Sequence, residues 1–180
     1  MEQAQFISDL ILMNARHRAE VKHVSSLSKE ALMKHPENVG WNVLECIDHL
    51  RAYGDFYIQE FDRVISKAKP RSAKPFRPGM MGGRSAKSML PDQKGFPLNP
   101  MKTFKKMNMA GKVNEPAVLH TFIAQCDQLE ALLKKAQSAD LNTNRCRLTL
   151  PLITFNLGDT LAFHIYHNER HIQQAKRAIR

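Results

Sequence analysis

The sequence predicts an all-α fold of four long helices, and three observations predict it. Gly and Tyr are scarce, at eight and three of 180 residues. Four stretches free of internal Pro carry apolar residues at spacings of three and four, the period of a helix buried on one face. The remaining long stretch, residues 70–112, gathers six of the nine prolines and five of the eight glycines, so the punctuation falls between helices. With 43% apolar and 24% charged residues, the chain is composed like an ordinary globular protein. Its length suits one domain over residues 1–180.

Residues 2–22 form the first helix, with Phe6, Ile7, Leu10, Ile11, Met13 and Val21 supplying its apolar stripe. His17 and His23 lie among Arg16, Arg18 and Lys22 and are expected in solvent. A short helical turn follows Ser28 and ends before Pro36, and residues 36–40 are loop. Asn42 with Glu45 three residues on is a capping-box start for the second long helix, from Val43 to about Lys69. Val43, Ile47, Leu50, Tyr57, Phe61 and Val64 make one stripe of this helix, and Cys46, His49, Tyr53 and Phe56 a second beside it. The helix is therefore expected to be buried over a wide arc that includes His49.

Residues 70–112 are expected to be a long basic loop. Arg77–Arg84 should resist regular structure, and Met101–Met107 can make a turn or two of helix. The third long helix runs from about Glu115 to Gln137 on Val118, Leu119, Phe122, Cys126, Leu129 and Leu133. A connection follows, in which Pro151 argues against a central strand. Asn156, with Asp159 three residues on, can cap the fourth helix, which runs to the C-terminus.

The formal net charge is +10, and its distribution is uneven. From Lys67 to Lys112 there are twelve Lys/Arg against one acid, Asp92, while the remainder is close to neutral. A solvated loop accounts for this; attraction to an anionic partner is the sharper alternative. Phe76, Phe96 and Phe104 are too sparse for a base-stacking platform, so nucleic acid is not expected. No apolar run approaches the ~18 residues that span a bilayer, and the polar start is not a secretory signal. Three widely spaced cysteines without a CxxC do not read as a disulfide framework, which points to a reducing, cytoplasmic setting.

The chemistry gathers in the fourth helix, where three of the eight histidines fall between residues 164 and 171. His167 and His171 are four apart, so both rings can reach one metal ion. His49, on its apolar arc, is the candidate third ligand, and His164 the rival if the helix is rotated. Three imidazoles suit nickel, zinc, iron or copper and leave a coordination position open. Such a site can activate water, stabilise a thiolate or polarise a carbonyl. The bland alternative is a chance His pair plus a hydrogen-bonded core histidine; the two on helices able to face each other favour a site. Gln174 lies on the ligand face and can orient a histidine. Tyr53 and Tyr166 can line a pocket, while Glu45 completes the cap, Asp48 pairs with Arg51, and Glu169 and Arg170 point away. His35 and His120 belong to the surface.

Two segments resemble the DinB/YfiT-like metalloenzymes. Trp41-Asn42-Val43-Leu44-Glu45-Cys46-Ile47-Asp48-His49-Leu50 is similar to that family's tryptophan, cap and His-Leu segment. His167-Asn168-Glu169-Arg170-His171-Ile172-Gln173-Gln174 is similar to its C-terminal histidine segment. The resemblance implies a four-helix bundle, a variant of up-and-down topology. It implies a divalent ion, nickel or zinc, held by His49, His167 and His171. It also implies kinship with transferases and isomerases that use low-molecular-weight thiols, and a homodimer. The expectation is a metal-dependent transferase or hydrolase acting on a small molecule; the alternative is a non-enzymatic binding protein with a structural metal. The long basic connection departs from the family's compact form.

Overall fold

The computed structural model describes residues 1–36, 40–99, 101–113 and 115–179. The expected loop at 36–40 therefore lies partly outside the described residues. The chain is mostly helical: α1 (Gln3–Val24), α2 (Lys29–Met33), α3 (Val43–Ile65), α4 (Met80–Met89), α5 (Ala117–Ala136) and α6 (Leu157–Ala178). Two three-residue strands, β1 (Arg145–Arg147) and β2 (Thr154–Asn156), pair antiparallel with Cys146 opposite Phe155. The run that contains Pro151 is the turn of this hairpin, and there Leu152 takes a positive φ of 65°.

The four long helices pack in a closed ring, α1 on α5, α5 on α3, α3 on α6 and α6 on α1. Their directions follow from paired residues. His17 meets Glu169 and Glu20 meets Lys176, so α1 and α6 run the same way. His49 meets His171 while Phe61 meets His164, so α3 and α6 run oppositely. The end of α3 meets the end of α5, with Arg71 N–H donating to Ser138 O and Asp140 N–H to Lys69 O. Helices α3 and α5 are thus parallel, and a parallel pair cannot be joined by a tight turn. The connection at 66–116 is long because it returns along α3, whose 23 residues span about 35 Å at 1.5 Å each. Its far end is pinned at the start of α3, where Gly111 N–H donates to Glu45 Oε1.

That connection is not all loop. Met80–Met89 is helical, against the expectation for Arg77–Arg84. Gly82 serves proximity to α6, because a Cβ there would collide with the Asp159 side chain. Asp159 Oδ2 accepts from Gly79 N–H at 2.9 Å, setting a carboxylate at the N-terminus of α4, the end that favours negative charge. A local signal for a helix breaker was overridden by docking. Met101–Met107 keeps one 3₁₀ turn, Lys105–Met107.

Both predicted caps are present. Glu45 N–H donates to Asn42 Oδ1 at 2.9 Å and Asn42 N–H to Glu45 Oε2 at 3.0 Å, closing the box at the start of α3. Such a cap contributes about 1 kcal/mol. Asn156 Oδ1 accepts from Asp159 N–H at 2.7 Å at the start of α6.

The apolar core divides into two clusters. Tyr57, Phe61, Leu161 and Ile165 belong to one, and Leu44, Ile47, Leu50 and Ile172 to the other. On α6 the division falls between residues 165 and 172, the interval that holds His167 and His171.

Candidate metal centre

Residues 49, 167 and 171 come together at that division. His49 is 2% exposed, His167 6% and His171 9%. One ring nitrogen from each lies within 4.8 Å of the others. His49 Nε2 is 3.2 Å from His167 Nε2. Two nitrogens bound tetrahedrally to one zinc at 2.0–2.1 Å lie about 3.3 Å apart, so this pair already has the spacing of ligands.

The outer nitrogens of two rings are held. His49 Nδ1–H donates to Met107 O at 2.7 Å, and His171 Nδ1–H donates to Gln174 Oε1 at 2.8 Å. A donating Nδ1 leaves the lone pair on Nε2, so both rings turn their lone pairs inward. His167 Nδ1 is buried and, among the described residues, has no partner. Burial holds all three rings below their ordinary pKa, His171 at about 3, and His49 further depresses both His167 and His171. All three are therefore neutral at pH 7, the form that ligates a metal. The donor set and its inward lone pairs fit a divalent transition ion.

A family model described as the DinB superfamily matches residues 12–175. The chain belongs to the DinB superfamily. No curated protein and no solved structure matches it.

Around the trio, this DinB-superfamily chain encloses a cavity of about 580 Å³. Its floor is His49, His167 and His171; its walls include Trp41, Tyr53, Phe104, Leu148, Phe155 and Phe163, and α4 contributes Met81 and Met89. The long connection therefore roofs a pocket. Tyr53 lies against His49 and His167, with ring centroids 4.9 and 4.6 Å away. Trp41 packs on His49 at 4.9 Å and on His171 at 5.8 Å. Gln174 holds His171, as its place on the helix suggested.

His164 is not brought to the cluster. Its ring packs on Tyr57 at 5.2 Å and Phe61 at 5.9 Å, and burial pushes its pKa to about 3. Both carboxylate oxygens of Glu45 are engaged, by Asn42 and Gly111, so Glu45 serves the cap and the crossover. Asp48 binds Arg51, and His23, His35 and His120 are exposed.

Two expectations are corrected. His17 is 1% exposed, not solvated, and its Nε2 is 2.8 Å from Glu169 Oε2. The signal was present: Leu10, Asn14 and Val21, at spacings of seven, three and four, are all buried. Glu169 points away from the ligands as expected, meeting His17 of α1, but Arg170 lines the cavity. The Met107 carbonyl on His49 had no signal at all, because any residue supplies one.

Proposed function

We propose that His49, His167 and His171 hold one divalent transition ion, nickel or zinc before iron, and that the protein is a metal-dependent transferase or hydrolase. The supporting observation is the convergence of three neutral imidazoles, two locked by Nδ1 partners, at the floor of a largely apolar cavity. In this reading the four long helices are the up-and-down variant of a four-helix bundle, and α3 and α6 are the two that carry the ligands. A bound ion supplies Lewis-acid chemistry, favouring the ionised form of a water or thiol that ligates it. The chain's own groups do the rest. Met107 and Gln174 orient rings, Tyr53 and Trp41 pack against them, and the roof formed by α4, Pro97 and residues 101–104 limits water.

A low-molecular-weight thiol is the substrate class we favour, with a hydrolysed small molecule next. Three neutral ligands leave the ion's full positive charge to attract an anionic sulfur or oxygen. A reducing, cytoplasmic setting suits that chemistry, and Cys46, Cys126 and Cys146 are free and buried. Among the described residues, no helix is long and apolar enough to cross a membrane.

Elemental analysis of untagged protein tests the ligand set. About one transition-metal ion per chain is expected in wild type, and little in His49→Ala. Equal metal in the two proteins overturns the assignment.

A further inference from the structure

Arg170 stands in the cavity wall one residue before His171, and it is 9% exposed. Its Nη2–H donates to Asn99 O at 2.7 Å and its Nη1–H to Ser88 O at 3.4 Å. Both acceptors are neutral carbonyls of the roof. A guanidinium has five N–H donors, so most remain unspent. Other arginines of this chain are matched to acids: Arg51 with Asp48 and Asp55, Arg63 and Arg147 with Glu60, Arg18 with Asp127. Among the described residues, Arg170 forms no such pair.

The rest of the wall has the same sign. Lys102 and Arg177 line the cavity, and among the described residues none of its lining is Asp or Glu. A desolvated cation without a counter-charge is disfavoured unless something neutralises it. Apolar surface from Phe104, Phe163 and Leu148 completes the enclosure, so the missing partner is an anion attached to an apolar body.

We propose that the cavity binds an amphipathic organic anion whose carboxylate, sulfonate or phosphate group seats on Arg170 while its other end faces the three histidines. This rests on reading the trio-lined cavity as the substrate pocket. Arg170 is then a binding residue, and the basicity of the connection has a local purpose in Lys102.

Two probes test it: 8-anilinonaphthalene-1-sulfonate and N-phenyl-1-naphthylamine, which share a ring frame and differ by the sulfonate. The chain has one tryptophan, and Trp41 is in the cavity wall, so energy transfer from it reports occupancy of this cavity. Titrations use the full chain, both metal-loaded and treated with EDTA. The sulfonate is expected to bind about tenfold tighter or more, as one charge-assisted contact implies. That gap should close in Arg170→Gln, persist in Arg170→Lys and survive metal removal. Displacement by octanoate or by octyl phosphate, and not by octanol, then separates carboxylate from phosphate recognition. Equal affinity of the two probes for wild type, or an unchanged gap in Arg170→Gln, overturns the proposal; if Arg170→Gln does not fold, the wild-type comparison decides. A chain that shows the gap but holds no metal loses the catalytic reading and keeps the anion subsite. A chain that holds metal without the gap does the reverse.

Discussion

Replacing Gln174 with leucine removes the acceptor that holds His171 and little else. Among the described residues the side chain makes one hydrogen bond, Oε1 accepting from His171 Nδ1–H at 2.8 Å, and leucine nearly preserves its volume. Partners of metal-ligating histidines typically contribute 10–100-fold in metal affinity, because they fix the ring and its tautomer. The low end applies here. Gln174 is only half-buried, and the His171 ring stays packed against Trp41 at 5.8 Å after the change. The expected loss is therefore about tenfold, or ~1.4 kcal/mol. Competition titration of zinc against a chelator of known affinity measures it. Melting of the metal-free proteins should agree within about 0.5 kcal/mol, since the site of change is near the surface. An affinity within twofold of wild type would refute the claim that Gln174 sets the ring. A large fall in metal-free stability would instead show that the residue holds the helix and not the ligand.

Other perturbations reach the scaffold. Burial alone would raise the Glu60 carboxyl, but hydrogen bonds from Arg63 and Arg147 outweigh it and bring its pKa to about 2. Because this folded value lies below the unfolded one, its stabilisation is complete above the ordinary glutamate range and is lost as pH falls from there toward about 2. Urea melts between pH 6 and 3 should show Glu60→Gln with a shallower acid limb than wild type; parallel curves would rule this out. At Gly158 a Cβ would fall on the ring of Phe76, which packs on Phe6 with centroids 4.4 Å apart. Gly158→Ala should lower stability by about 1–3 kcal/mol through overpacking, read as a reduced Tm. No loss would mean that Phe76 has room to turn aside.

Much of the scaffold was legible because helices are coded locally. The 3.6-residue period marked all four long helices, and Asn42 with Glu45 marked the start of α3 to the residue. His167 and His171 were readable as a pair because four residues on one helix fix their relation. His17 was also within reach, had its place on the stripe of Leu10, Asn14 and Val21 outweighed its charged neighbours. The helix at Met80–Met89 was not, since two glycines lower its own propensity and its order depends on lying against Asp159.

By itself, then, the sequence determined the four long helices, most of their buried faces and the histidines 49, 167 and 171 that those faces carry. Only the tertiary structure decided which helices run alongside one another. Antiparallel α3 and α6 bring His49 to within 3.2 Å of His167 across 118 residues of chain. Parallel α3 and α5 oblige the crossover to pass over the cavity, and that passage delivers the Met107 carbonyl to His49 and the roof to Arg170. The reason is physical. Periodicity records which side of a helix avoids water, and an apolar face fits many partners. Direction and neighbour are chosen by the packing of all four helices together.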